Sequence, residues 1–235
     1  MRPLDELLQE AVTFHGHLCP GQVLGVRMAI AGCRELAVVE PKSMQKNLVV
    51  FVEIDRCATD AIQAVTGCSL GRRTLKHVDY GKMAATFVNL VTGEALRVVA
   101  RDDARELAAA YAPGVVGPRE AQIAAYRVMP EAQLLRFEPV VVLPGWLDRR
   151  RVRVPCQLCG EGVNYGREVP SNGLTVCRAC FAGAYYLPRA PAARAAPTTA
   201  GTQRSPGRGD GRTASIRQDE DRRRAIPGAE ASRTP

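Results

Sequence analysis

Two C-x-x-C pairs, Cys156–Cys159 (CQLC) and Cys177–Cys180 (CRAC), lie seventeen residues apart and constrain this chain more than any other feature. Two such turns brought together supply four thiolates, a tetrahedral set suited to zinc, and the separation falls in the range that zinc modules use. Gly160 follows the first pair as a tight knuckle requires, and FAGAYYL after the second reads as a short helix. Four protein ligands close the coordination sphere, so this Zn is expected to be structural, because catalysis needs an open position. Two unrelated redox pairs are the weaker reading, given both motifs within a 25-residue window. A deaminase reading fails: Pro155-Cys156-x-x-Cys159 matches half of that signature, but His15-Gly16-His17 has histidine where the proton-transfer glutamate belongs.

The remainder of the chain predicts three segments: an α+β core over 1–147, the finger over 148–187, and a tail over 188–235. Apolar residues make up 46% of the chain but aromatics only 5%, so the core must be aliphatic and alanine-rich. Leu4, Leu7, Leu8, Ala11 and Val12 share one face of a first helix, and Pro20 opens a second that runs to about Leu36. Along the second, Gly21, Gly25, Ala29 and Gly32 form a small-residue stripe that would admit another backbone. NLVVFVEI reads as a buried strand, a helix follows over 58–65, and AATFVNLVTGEALRVVA reads as a hairpin. Helices open at Asp102-Asp103 and at Pro118, and Pro139 marks the last strand as an edge or a bulge. Strands and helices mix without a regular βαβ repeat, which favours α+β. Beyond residue 187 there are 10 arginines against 5 acids, with Ile216 and Ile226 the only large aliphatics. Such a segment cannot offset its ordering entropy and is expected to be disordered. The longest apolar runs are far short of a membrane span, and acids near the N-terminus interrupt any signal-like stretch. The expectation is a cytoplasmic protein without a membrane partner, whose eight cysteines serve as ligands or reactive thiols rather than a disulfide frame.

A second constellation lies in FHGHLCPG. Read as extended chain, His15, His17 and Cys19 alternate and point to one side, so three donors could converge. Cys19 precedes Pro20 as the N-cap of the second helix, and Cys57 opens the next one beside Arg56. Helix N-termini carry partial positive charge, which favours a thiolate, so Cys19 and Cys57 read as metal ligands or a redox pair. Cys33 reads as an inert core residue, Cys68 as either packing or site, and His77 as an ordinary loop histidine.

These motifs in order, FHGHLCPGQVLGVRMA, then DRCATDAIQAVTGCSLGRRTLKHVDYGKMAATF, then a C4 finger, resemble the FmdE family, whose members are named for formylmethanofuran dehydrogenase. The finger itself resembles treble-clef or TraR/DksA-type modules. The resemblance covers about residues 5–187 and implies an α+β core with an auxiliary zinc finger, often as a homodimer. It implies a core site at His17, Cys19 and Cys57 that is catalytic or binds a second transition metal. His15, Asp60, Cys68 and Lys82 are the nearby substrate- or ligand-binding candidates. It further implies a redox-accessory subunit or maturation factor in a complex with a Mo/W-dependent formylmethanofuran or formate-type dehydrogenase, linked to oxidoreductase chemistry if it is an enzyme at all. The competing class is a nucleic-acid or polymerase-binding regulator using the finger and the arginines at 149, 150, 151 and 153. It ranks second because no helix carries base-reading side chains. Arg72 and Arg73 read equally as anion ligands or as solvated charges.

Overall fold

The computed structural model describes residues 1–44, 46–148 and 150–187. Residues Met1–Cys177 form one compact unit, and a second begins at Arg178. The tail expected over 188–235 and the basic residue Arg149 lie outside the described residues.

Helix α1 (Leu4–His15) buries Leu7, Leu8 and Ala11 of the predicted stripe, with Leu4 and Val12 partly buried against the same core. Gly16 ends it at φ 96°, donating its N–H to Val12 O, a left-handed stop that glycine adopts without steric cost. Helix α2 (Pro20–Glu35) begins with proline at its first turn and has extended Cys19 as N-cap. It packs against α1, against α3 (Cys57–Thr66) and against the sheet. The small-residue stripe explains the closeness of that packing. A Cβ built on Gly25 would lie 2.5 Å from Ala58 O, and one on Gly21 would lie 2.9 Å from Cys57 Cβ. On the same helix, a Cβ on Gly32 would meet the Phe87 ring at 2.4 Å. Any larger residue at 25 must push the two backbones apart, at a cost of about 1–3 kcal/mol.

The core sheet has the order β2-β1-β3-β4-β5. Strand β1 (Leu48–Val52) is buried throughout, because it is covered on both faces. Leu48, Val50 and Val52 face the main core, whereas Val49 and Phe51 join Val88 on the other side. Val142 and Leu147, from the segment containing α7 (Pro144–Leu147), pack on that second face. Helix α3 carries the chain from β1 to β2 (Leu75–His77), the parallel pair in the sheet. A parallel pairing requires such a crossover. Strands β3 (Ala84–Asn89) and β4 (Ala95–Ala100) form the expected hairpin. Helices α4 (Ala104–Tyr111), α5 (Pro118–Val128) and the short α6 (Glu131–Leu134) lead to β5 (Leu135–Pro139) at the sheet edge, where Pro139 is tolerated. The architecture is α+β, with one parallel pair in an otherwise antiparallel sheet. Past the core come two small antiparallel ladders, β6 (Arg153–Pro155) with β7 (Gly162–Asn164), and β8 (Val169–Ser171) with β9 (Leu174–Val176). The short helix α8 (Arg178–Ala182) opens the second unit. Among the described residues no helix is long and apolar enough to cross a membrane.

Candidate metal and thiol site

The donors of the FHGHLCPG motif do converge, but not by the route the sequence suggests. His15 is the last residue of α1, and the turn at Gly16 folds the chain back before Cys19 enters α2. A helix-to-helix turn therefore replaces the expected extended stretch. One donor atom each from His15, His17 and Cys19 lies within 4.8 Å of the others. The two imidazole centroids are 4.6 Å apart. His15 is further fixed from α3, where Asp60 Oδ2 sits 2.8 Å from His15 Nδ1. A carboxylate oxygen accepts, so the Nδ1 facing it is the nitrogen placed to carry the proton, and in the neutral ring Nε2 then presents its lone pair. That Nε2 is buried and has no hydrogen-bond partner among the described residues. A carboxylate behind one imidazole nitrogen with the other nitrogen bare is the arrangement that metal-ligating histidines use. Among buried polar atoms such an orphan needs a partner, and a bound water or ion would supply one.

Cys19 is the hinge between this cluster and a cleft of about 710 Å³. Cys57 lies on the cleft wall beside it, with Arg56, Lys82 and Arg105 also in the lining. Cys57 is outside the tight three-donor group, although its thiol interacts with that of Cys19. Burial first, and the Cys19 thiol second, hold the Cys57 thiol above its ordinary range. The helix-end N–H and Arg56 pull the other way and lose. The thiolate expected at this helix N-terminus is thus outweighed by desolvation.

Of the remaining candidates, Asp60 and Lys82 are at the site: one supports His15 and the other lines the cleft. Cys68 is elsewhere. It is buried in the main core, its Sγ 3.5 Å from Leu48 O, and does not line the Cys19 cleft. Burial raises its thiol, and burial together with Cys68 pushes the fully buried Cys33 up to about 12, so both thiols stay protonated. His77 ends β2 on the surface.

Sequence reasoning missed the ion-pair group beneath the cleft. Arg97, from β4, lines it and holds both carboxylate oxygens of buried Glu53 at 2.7 Å, while its other nitrogen reaches Glu138 at 2.7 Å. An arginine inside the apolar strand ALRVVA was the available signal. Its partner is 44 residues away, and nothing local names it.

The four cysteines of the C-x-x-C pairs also offer sulfurs within 4.8 Å of one another. Cys159 and Cys177 Sγ atoms are 4.0 Å apart, close to the roughly 3.8 Å that a tetrahedron of ~2.3 Å metal–sulfur bonds imposes. Gly160, at φ 77°, makes the knuckle by donating to Cys156 O at 2.9 Å. The Cys177 N–H donates to Cys156 Sγ at 3.2 Å. Backbone donation from Cys159 and then Cys177 brings the Cys156 thiol down to about 6, so the sulfur is a thiolate at neutral pH. This set can bind a metal. Among the described residues no cysteine is in a disulfide.

An α+β core that gathers histidine and cysteine donors beside a cation-lined cleft, followed by a four-cysteine cluster, defines a class of proteins with potential metal sites. The family model described as "FmdE, Molybdenum formylmethanofuran dehydrogenase operon" matches residues 14–137. The chain belongs to the FmdE family. It is 40% identical over 97 residues to a "Probable S-adenosyl-L-methionine-binding protein" of Archaeoglobus fulgidus. That match covers 40% of this chain and 26% of the relative, so the chain spans only about a quarter of that protein's length. Its fold is similar to the crystal structure of an FmdE-like protein of tungsten formylmethanofuran dehydrogenase from Syntrophus aciditrophicus. The TM-score is 0.55 at 22% identity, covering 78% of this chain and 95% of that one.

Proposed function

We propose that this FmdE-family protein is a metal-binding redox-accessory protein, serving as a subunit or maturation factor of a Mo/W-dependent formylmethanofuran or formate-type dehydrogenase. The observation that carries the reading is His15, whose ring is braced by Asp60 through Nδ1 and keeps a buried, bare Nε2, while its donor group converges with those of His17 and Cys19. Two imidazoles and a thiol are a borderline donor set that suits a late transition metal. Three donors leave room in the sphere for a further ligand, and the cleft behind Cys19 gives access to it. A metal held there supplies Lewis acidity. Asp60 fixes the tautomer of His15, Cys57 stands by as an additional thiol, and Lys82 and Arg56 put positive charge where an anionic group enters.

Zinc in the four-cysteine module completes the reading, since four thiolates and no vacant position suit a structural ion. A cytoplasmic setting, where thiols stay reduced, and a homodimer belong to the same proposal.

The direct test is metal analysis of the purified full chain. Wild type should hold two metal equivalents, His15→Ala and Cys19→Ala one, and Cys156→Ser should lose the other. One equivalent in both wild type and Cys19→Ala would remove the core metal from the proposal. The link to the dehydrogenase is tested in cells: deleting the gene should abolish formylmethanofuran or formate dehydrogenase activity, and a Cys19→Ala copy should fail to restore it. Unchanged activity after deletion would leave a metal protein without that partner.

A further inference from the structure

A second cleft, also of about 710 Å³, lies where the loop before β2 meets the β6–β7 ladder, and it shares no lining residue with the Cys19 cleft. Arg72 and Arg73 line one wall, Arg151 and Arg153 the other, with Lys46 and Tyr165 alongside. Among the described residues no carboxylate lines it. Among the described residues none of these four arginines is in an ion pair. The nearby carboxyl of Asp148 is engaged by Arg150, and Arg73 donates instead to the Asp148 main-chain oxygen at 3.1 Å. Like charges gathered into a concavity repel one another, and a folded protein keeps them together at a cost.

Backbone geometry singles out the same place. Arg73 (φ 60°) and Tyr165 (φ 65°) both occupy the left-handed region, where side chains rarely go, and they hold each other: the guanidinium lies 3.9 Å from the ring centroid. Strained residues of this kind persist where the surroundings over-determine them, and they collect at ligand clamps. Gly162 gives the Arg153 guanidinium its space, since a Cβ there would lie 2.2 Å from Arg153 Nε.

We propose that this cleft binds the phosphate groups of a phosphate-bearing ligand, two adjacent phosphates being held between the Arg72–Arg73 and Arg151–Arg153 walls. Guanidinium forks match phosphate oxygens two at a time, and arginine is the residue used where planar, paired donors meet such oxygens. Arg73 is stacked on the Tyr165 ring and Arg167 is 5.6 Å from its centroid, so the aromatic positions cations rather than offering a platform for a base. Recognition here reads phosphate, not sequence.

The phosphates can come from a small diphosphate or from the backbone of a single-stranded nucleic acid, and the experiment separates the two. Full-length, metal-loaded protein is titrated with inorganic pyrophosphate and, in a second arm, with a labelled single-stranded oligonucleotide. Both are repeated with Arg72→Ala/Arg151→Ala, whose melting and metal content confirm that it folds. Pyrophosphate should bind wild type at least ~10-fold more tightly than the double variant, and binding should weaken as salt rises. Oligonucleotide binding that pyrophosphate displaces, and that the variant loses, assigns the phosphates to a strand. Binding of neither probe, or equal binding by wild type and variant, overturns the proposal. Cys19→Ala should bind pyrophosphate as wild type does, so the core metal site and this cleft can fail independently.

Discussion

The two donor clusters of this protein are held in place by different means. Around His15, His17 and Cys19, the elements that carry the ligands are locked by a large aliphatic core: α1, α2 and α3 bury Leu7, Val23, Met28 and Ile62 almost completely. Around Cys156 and Cys177 there is little such material. Among the described residues from 150 on, only Cys156, Val163 and Val176 are buried. The first site is shaped by the core alone, while the second has little apolar packing to shape it. On the proposed reading, metal at the core would tune a preformed place, whereas metal at the cysteine module would supply folding energy to a segment with almost no core of its own.

The harshest test of that contrast is Cys156→Ser. Losing one ligand should release the module's metal and expose residues 153–187 to protease, with free-energy losses on the order of 10 kcal/mol for the module, while the melting of the 1–147 core stays put. If metal and protease pattern survive, the module folds by other means and the contrast collapses. Next in size is Arg97→Ala, which strands the buried Glu53 carboxylate and should cost the core about 3–5 kcal/mol by denaturant unfolding. Glu53→Gln placed on top of it should recover part of that loss, and no recovery would mean the charge is not what matters. Asp60→Asn leaves the core folded but loosens His15, so metal affinity at the core site should fall ~10–100-fold, read by competition with a chelator, with the cysteine module unaffected.

Smallest is a pH effect confined to the module. The Cys156 thiol is lowered from 9.0 to about 6, so its contribution is present in full above the unfolded value and declines as pH falls between the two. Below about pH 6 the thiol is protonated and the contribution is gone. Metal should therefore stay in the cysteine module at neutral pH and leave it only as the pH falls below about 6. Retention of the ion well below pH 5 would mean the metal itself, rather than the backbone donors, dominates the titration.

How much of this was legible depended on how far apart the interacting residues stand in the chain. The cysteine module was readable because each half of its ligand set is local, two cysteines three residues apart around a knuckle glycine. The helices and the β3–β4 hairpin were readable from periodicity and turn residues. Strand β2 was not: three residues, LKH, take their identity from pairing with Val50–Val52 and show no pattern of their own. At the core site the donor residues could be named, but not their arrangement, since a turn at Gly16 and an aspartate 45 positions away set it. Cys68 stayed open between packing and site for the same reason: a glycine-rich loop says nothing of where its thiol points, and here that thiol is tucked under β1.

The bare contact of α2 on α3 has a mechanical consequence. With glycine at 21 and 25, no side chain stands between the two backbones to absorb a shift by changing rotamer. Whatever moves Cys57 moves Gly21 with it, and α2 is stiff along its length. About 17 Å further along, at Gly32, the same helix rests on the face of Phe87, in the middle of the sheet. The helix is in effect a pushrod, with the thiols at one end and a fully buried aromatic ring at the other. A ligand that spreads the backbones at Cys19 and Cys57 must therefore lever against the centre of the core, whereas the sulfurs themselves are left to turn about their own side-chain bonds.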